Sequence, residues 1–268
     1  MKNLYVRYAI YSFRMGILGI ISLPVIAYLT YIGFFYNYEL LGIVGIFTVF
    51  SFGVASYFNQ ASAKLPEFTS MKTHTDFRLN EFNFQNDASL ISRLYLVSHE
   101  GEQLYVIEPT LRKPIFRLLT VFNFVASGWT IPITYDVMAL DRSRIFSFTV
   151  KNEWKQFRIT VLNERDETIA IYVQKWLKSA VKNKGNLYHS DQSIWREVSS
   201  KNMSGDIDIR DEENRVTASY RFGIFPYTLN PAFQALSNNI HIKLDPQISM
   251  DERKTYLALF YFWLYGNR

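Results

Sequence analysis

The sequence predicts a membrane-anchored fold, in which an α-helical transmembrane hairpin precedes a mainly antiparallel β-barrel that encloses a hydrophobic C-terminal helix. Three observations predict this fold. Two long uncharged runs stand near the N-terminus, at Met15–Tyr38 and Leu40–Ala63. A succession of short strand-like segments follows from residue 90. The chain then ends in a run, Thr255–Tyr265, that is apolar on nearly every side.

The two uncharged runs have the length and spacing of a transmembrane hairpin. Each exceeds the roughly 20 residues that cross a hydrocarbon core. Only the link Tyr36–Glu39 separates them, so both ends of the hairpin must lie on the same side of the membrane. A cleaved signal peptide ending at Ala61–Ala63 is the alternative. Its apolar region would span only about 7–15 residues, whereas two full-length runs precede this site.

The basic residues around the hairpin predict its orientation. They flank it on both sides and are absent from the turn: Lys2, Arg7, Arg14, Lys64, Lys72 and Arg78. Cytoplasmic loops of membrane proteins are enriched in Lys and Arg. We therefore expect a multi-pass protein of the cell membrane, whose N-terminal segment (residues 1–14) and C-terminal domain are both cytoplasmic.

Small residues and one proline are expected to shape the hairpin (residues 15–63). Pro24 is expected to kink the first helix, because it removes a backbone hydrogen bond. Glycines in both runs are expected to let the helices approach closely: Gly16, Gly19, Gly42, Gly45 and Gly53. The same glycines would also suit a contact with a partner helix or a second copy, and the sequence leaves both readings open.

Residues 64–89 are polar and predict a linker, and residues 90–268 predict a β-barrel domain. In that domain, short runs rich in β-branched and aromatic residues alternate with turn residues. The predicted strands are Arg93–Ser98, Gln103–Ile107, Phe116–Phe122, Trp129–Met138, Arg144–Val150, Phe157–Leu162, Thr168–Gln174, Gly205–Arg210, Arg215–Phe222 and Asn239–Leu244. About ten strands without long helices between them indicate an antiparallel sandwich or barrel.

Two segments of this domain depart from the strand pattern. The uncharged run Leu118–Tyr135 is long enough to suggest a third membrane span. Its polar residues favour instead two buried strands joined around Ser127–Gly128. The polar stretch Ser179–Ser204 predicts an insertion that holds one short helix around Gln192–Val198.

Two helices are predicted after the strands. Asn230–Pro231 has the residues of a helix start, and this short helix is expected to end near Ser237. Ser249–Glu252 is a capping box, in which the Ser and Glu side chains satisfy each other's backbone amides. The helix that begins there is expected to stop at Gly266. It has no face for water, and about 11 apolar residues are too few to cross a bilayer, so we expect the barrel to wrap around it.

A meander of β-strands followed by a fully apolar C-terminal helix resembles the superfamily of tubby C-terminal domains, phospholipid scramblases and LURP-one-related proteins. The stretches that carry the resemblance are Ile131–Leu162, Thr168–Lys178 and Ile248–Tyr265. This tubby-like resemblance implies a twelve-stranded antiparallel barrel around the terminal helix, and a membrane-associated, lipid-sensing domain. It does not imply catalysis. No binding residue carries over, because no motif here aligns with the basic phosphoinositide sites of tubby proteins. The separate N-terminal hairpin is a departure from the scramblases.

The sequence predicts no catalytic, metal or cofactor site. The chain has no cysteine, which excludes disulfides, thiolate metal sites and cysteine nucleophiles. The acidic group Asp206–Glu213 lacks the glycine and the closing glutamate of an EF-hand loop. The histidines stand apart from one another: His74, His99, His189 and His241. We therefore expect a non-enzymatic protein without cofactors. Its net charge of +5 is too dispersed to predict nucleic-acid binding.

Two groups of basic residues form the candidate lipid-binding site. The first, with an interleaved tryptophan, is Lys175, Trp176, Lys178, Lys182 and Lys184, and the second is Arg112, Lys113 and Arg117. Each such charge near an anionic leaflet adds about 1 kcal/mol of attraction, and tryptophan favours the headgroup level. Ordinary solvated loop lysines are the alternative interpretation.

These features give two functional hypotheses. The first is an integral membrane protein whose cytoplasmic domain binds anionic membrane lipid or a protein partner at the inner leaflet. The alternative is an oligomeric or transporter-associated subunit that takes part in moving lipid or a toxic solute. Neither uncharged run carries the ionisable residue that intramembrane transport sites usually contain, so the alternative requires association with other copies or with another membrane protein.

Overall fold

The computed structural model describes residues 1–34, 38–65, 80–87, 93–110, 128, 131–175, 184–199, 206–223, 233 and 239–266. The chain divides into two compact units, Met1–Phe68 with Asp87–Ser89 and Thr69–Asn86 with Leu90–Arg268. The first unit is a helical hairpin, and the second is a β-barrel with a helix.

Two long helices form the hairpin. Helix α1 spans Lys2–Tyr31, and helix α2 spans Glu39–Ala63. Both helices are long and apolar enough to cross a membrane. Pro24 lies inside α1, and α1 begins well before the first uncharged run, so its N-terminal turns carry the basic residues that precede that run.

Close packing between α1 and α2 depends on two of the five glycines. A Cβ atom added to Gly19 would collide with the Thr48 hydroxyl, and one added to Gly16 would lie 2.8 Å from the Phe52 ring. The predicted close approach is therefore confirmed at these two positions. It is wrong for three others, where an added Cβ would have no described atom within 4 Å: Gly42, Gly45 and Gly53.

Twelve strands make up the barrel in the described part of the second unit. They are β1 Glu81–Asn86, β2 Leu94–Val97, β3 Gln103–Pro109, β4 Ile133–Ala139, β5 Arg144–Glu153, β6 Gln156–Leu162, β7 Thr168–Lys175, β8 Lys184–His189, β9 Ile194–Ser199, β10 Ile207–Arg210, β11 Val216–Gly223 and β12 Asn239–Leu244. All adjacent pairs are antiparallel. The strand order is β10-β11-β12-β1-β2-β3-β4-β5-β6-β7-β8-β9. The outer strands β9 and β10 approach each other, which nearly closes the sheet into a barrel.

The expectation of a polar insertion with a short helix at Gln192–Val198 is wrong. The hairpin of β8 and β9 occupies Lys184–Ser199 instead. Only a few of its side chains, such as Leu187 and Val198, point into the core. Polar residues on the outer face hid this alternation. Strand β1 is a further addition, and it lies within the stretch expected to be a linker.

Three other expectations fall wholly or partly outside the described residues. The predicted strand Phe116–Phe122 lies outside them, and so does most of the short helix that Asn230–Pro231 was expected to begin. Of the run Leu118–Tyr135, the structure describes Gly128 and residues 131–135, and β4 begins at Ile133 within it.

Helix α3, Met250–Gly266, fills the barrel. The predicted capping box is present: the Ser249 amide donates to Glu252 at 3.0 Å, and the Glu252 amide donates to the Ser249 hydroxyl at 3.2 Å. Successive helical side chains point about 100° apart. Here three successive rings meet different strands, as Phe260 contacts Tyr220 on β11, Tyr261 contacts Tyr135 on β4, and Phe262 contacts Phe157 on β6. The barrel thus surrounds α3, as predicted.

Candidate functional site

Two sets of polar side chains inside the barrel are joined by hydrogen bonds. Gln174 Oε1 accepts hydrogen bonds from the Tyr172 hydroxyl at 2.8 Å and from the Trp263 indole at 3.1 Å. Burial raises the pKa of Tyr172. The Tyr256 hydroxyl accepts a hydrogen bond from Arg196 at 2.6 Å, and burial raises the pKa of Tyr256 to about 12. These tyrosines stay protonated and stabilise the packing of α3.

The structure describes two of the eight predicted lipid-binding residues. Lys175 is the last residue of β7, Lys184 is the first residue of β8, and both are exposed. Lys184 forms an ion pair with Glu197 on β9 at 2.7 Å. The remaining six lie outside the described residues: Trp176, Lys178, Lys182, Arg112, Lys113 and Arg117.

The strand ends that bound both predicted basic groups lie at one end of the barrel. The first group lies between the end of β7 and the start of β8, and the second lies between the end of β3 and the start of β4. Cross-strand pairs place these strand ends side by side across the sheet: Pro109–Tyr135, Ile133–Val150, Lys151–Arg158, Gln156–Lys175 and Lys184–Ser199. Strand β5 also turns into β6 here, through Trp154 and Lys155. We call it the Trp154 end.

Five described basic side chains gather at the Trp154 end and form what we call the basic rim: Lys151, Lys155, Arg158, Lys175 and Lys184. Val150 and Phe157 point into the core. Since strand residues alternate between the two faces, their neighbours Lys151 and Arg158 lie on the outer face. Two carboxylates, Glu153 and Glu197, accompany the five cations, so this surface keeps an excess of positive charge.

Glu153 is held as an anion within the basic rim. It accepts hydrogen bonds from Gln156 Nε2 at 3.0 Å and from Lys151 Nζ at 3.1 Å. The hydrogen bond from Gln156, followed by the one from Lys151, lowers the pKa of Glu153. Glu153 therefore offsets part of the positive charge at neutral pH and orients Lys151.

Trp154 stands at the tip of the β5–β6 hairpin and is not among the predicted lipid-binding residues. It is 85% exposed, more than any other large apolar residue in the described part of the barrel. Ile131 precedes β4, the strand that pairs with β5, and it is 39% exposed at the same end of the barrel. An exposed indole at the same end of the barrel as several cations is an arrangement that favours a membrane–water interface. A large aromatic residue inside a short polar turn is the sequence signal that could have identified it.

The backbone at Trp154 has a conformation that glycine, asparagine and aspartate adopt more easily than tryptophan does. Its φ is 42°, in the left-handed region, which costs a residue with a Cβ atom roughly 1–2 kcal/mol. Two-residue hairpin turns therefore favour Asn, Asp or Gly. A tryptophan in such a turn reduces stability locally, and strain of this kind is concentrated at functional sites.

Metal-binding groups and histidines are the other side chains that could carry chemistry in the described residues. There, no group of three His, Asp or Glu side chains could hold a metal ion. His241 lies 2.8 Å from Glu81, and His189 stacks on Trp195 with ring centroids 4.8 Å apart. Comparison of the chain with protein-family models, with curated proteins and with solved structures finds no match.

Proposed function

We propose that this chain is a non-enzymatic integral membrane protein whose β-barrel binds anionic lipid at the inner leaflet through the Trp154 end. The observation that carries the proposal is the exposed Trp154 indole within the basic rim. The twelve strands around a terminal helix also support kinship with the tubby, scramblase and LURP-one superfamily.

The chemistry of the Trp154 end matches that of an anionic membrane surface. Each cation close to such a surface contributes about 1 kcal/mol, and the indole adds apolar contact at the headgroup level. The barrel is covalently joined to the hairpin that would anchor it. Tethering raises the effective concentration of the barrel at the membrane, so a modest intrinsic affinity is enough.

A labelling experiment on the full chain tests this proposal. Because the chain has no cysteine, Ile131→Cys carries a single environment-sensitive fluorophore at the Trp154 end. In nanodiscs with phosphatidylserine we expect an emission shift to shorter wavelength relative to pure phosphatidylcholine, and loss of that shift in high salt, because salt screens surface charge. Added Lys155→Ala and Arg158→Ala changes should weaken the response about tenfold or more.

Two controls separate a local site from overall charge. The fluorophore at Ile194→Cys, at the opposite end of the barrel, should not respond to lipid charge. The pair Arg165→Ala and Lys243→Ala removes the same number of charges away from the Trp154 end and should leave the Ile131 response intact. Equal emission in both lipids at Ile131 would contradict the proposal.

A second candidate function, an oligomeric or transporter-associated subunit for lipid or toxic-solute movement, has one observation in its favour. Gly42, Gly45 and Gly53 do not serve the contact between α1 and α2. Ile46 and Val49, in the same part of α2, are 74% and 73% exposed. Small residues that permit close helix approach are enriched at helix contacts in membranes, so this part of α2 suits a helix of another chain.

This second candidate predicts contact between copies. With Val49→Cys in the membrane, oxidation should give a disulfide-linked dimer, and an added Gly45→Leu change should reduce its yield several-fold by holding the helices apart. Ile21→Cys, which is also exposed but lies on α1, is the matched control and should cross-link poorly. Equal yields at both positions would indicate random collision.

A further inference from the structure

A groove of about 580 Å³ lies between α1 and α2, and the cationic side chain of Arg14 lies beside its apolar wall. Phe13, Ile17 and Phe52 form part of the apolar wall, and Arg14 and Asn59 contribute polar groups. All residues that line the groove belong to the hairpin and are described. None of them is a carboxylate, so the lining itself supplies no counter-charge for Arg14.

Arg14 is available to an external anion. It is exposed, and it makes no hydrogen bond or ion pair within the part of the chain that the structure describes. A guanidinium presents its N–H groups in a planar fork that matches the oxygens of a phosphate. Asn59 adds an amide, which can donate two further hydrogen bonds.

The position of Arg14 along α1 agrees with a phosphate at the membrane surface. Arg14 is the last charged residue before the uncharged run that begins at Met15. Ile17 lies three residues further on, and residues three apart share one helix face. A molecule with its anion at Arg14 would thus extend its apolar part past Ile17, toward the uncharged part of the hairpin.

We propose that this groove is a binding site for a single anionic phospholipid, whose phosphate pairs with Arg14 and whose acyl chain packs against Phe13, Ile17 and Phe52. Zwitterionic lipids fit less well, because their headgroup brings an ammonium close to the guanidinium. The site rests on the membrane insertion of the hairpin that the proposed function includes. It does not depend on lipid binding by the barrel.

Native mass spectrometry of the full chain, released from mild detergent with added phosphatidylglycerol or phosphatidylcholine, tests the site. We expect one phosphatidylglycerol to be retained per chain in preference to phosphatidylcholine. Arg14→Gln should lower the affinity for phosphatidylglycerol about tenfold or more, since a hydrogen-bonded charge is lost. Lys64→Gln removes an exposed charge at the end of α2, outside the groove, and should leave retention unchanged.

A second variant keeps the charge and fills the apolar wall. Ile17→Trp should also reduce retention of phosphatidylglycerol, because the larger side chain occupies the acyl path. Equal losses in Arg14→Gln and Lys64→Gln, or equal retention of both lipids, would overturn the site in favour of diffuse attraction. The Ile131 fluorophore should still respond to anionic lipid in Arg14→Gln. In the chain with an intact groove, normal retention of phosphatidylglycerol without an Ile131 response would count against the barrel proposal alone.

Discussion

Replacing Phe260 with alanine is expected to lower the free energy of unfolding of the barrel by about 3–5 kcal/mol. Phe260 is fully buried and stacks on Tyr220, with ring centroids 5.4 Å apart. Its neighbours on α3 contact other strands, so the helix cannot shift toward one wall without losing contacts at another. The cavity left by the ring should therefore remain largely open. A loss of this size is a large part of the 5–15 kcal/mol that typically stabilises a domain.

Chemical unfolding of the full chain in detergent, followed by tryptophan fluorescence, measures this effect. Trp263 lies 6.1 Å from Phe260 between ring centroids and is itself buried, so its emission should report the loss of the core. Ile194→Ala truncates a side chain that is 69% exposed and should change stability by no more than about 0.5 kcal/mol. Similar stabilities for Phe260→Ala and Ile194→Ala would show that α3 is not held inside the barrel.

Replacing Trp154 with glycine is expected to separate stability from lipid binding. Glycine adopts a φ of 42° without the penalty that a Cβ atom brings, so the variant should be as stable as the parent or more stable by up to about 1 kcal/mol. The same change removes the indole from the Trp154 end. The affinity of the barrel for anionic lipid, measured with the Ile131 fluorophore, should fall about tenfold or more, which corresponds to at least about 1.4 kcal/mol.

Gln192→Gly is the matched control for Trp154→Gly. Gln192 also has a positive φ, 68°, and it is exposed in the β8–β9 turn at the opposite end of the barrel. The backbone relief should be similar, whereas the lipid response should not change. If Trp154→Gly instead lowers stability and leaves lipid binding intact, the indole is a structural residue and the membrane role of the Trp154 end is wrong.

Local patterns identified the elements whose signals lie within one stretch of chain. The uncharged runs predict long helices because a helix satisfies its backbone hydrogen bonds internally, and α1 and α2 follow. The capping box at Ser249 predicts the start of α3, because its Ser and Glu side chains satisfy amides that have no partner within the helix. The sequence of α3 is apolar on all sides, so no face of the helix could be left to water. This pattern predicts that the barrel encloses α3.

Elements that depend on distant partners were harder to predict. Strand β1 pairs with β12, far along the chain, and its residues are not distinctive by themselves. The hairpin of β8 and β9 has a mostly polar outer face. Its few buried residues can be recognised as core residues only from their contacts with α3 and the neighbouring strands. Strand pairing is stabilised by cross-strand neighbours, which local composition does not display.

The sequence by itself determined the helical hairpin, the β-rich character of the second unit, the enclosed helix and two separate basic groups, because each of these follows from local charge, hydrophobicity or capping. Only the tertiary structure decided that the strand ends bounding both groups lie at one end of the barrel, and that Trp154 projects there. Likewise, the pairing of Gly16 and Gly19 with α2 and the groove beside Arg14 required the two helices to be placed together. The physical reason is the same in each case: register and packing set which side chains meet, and they depend on residues that are distant in sequence.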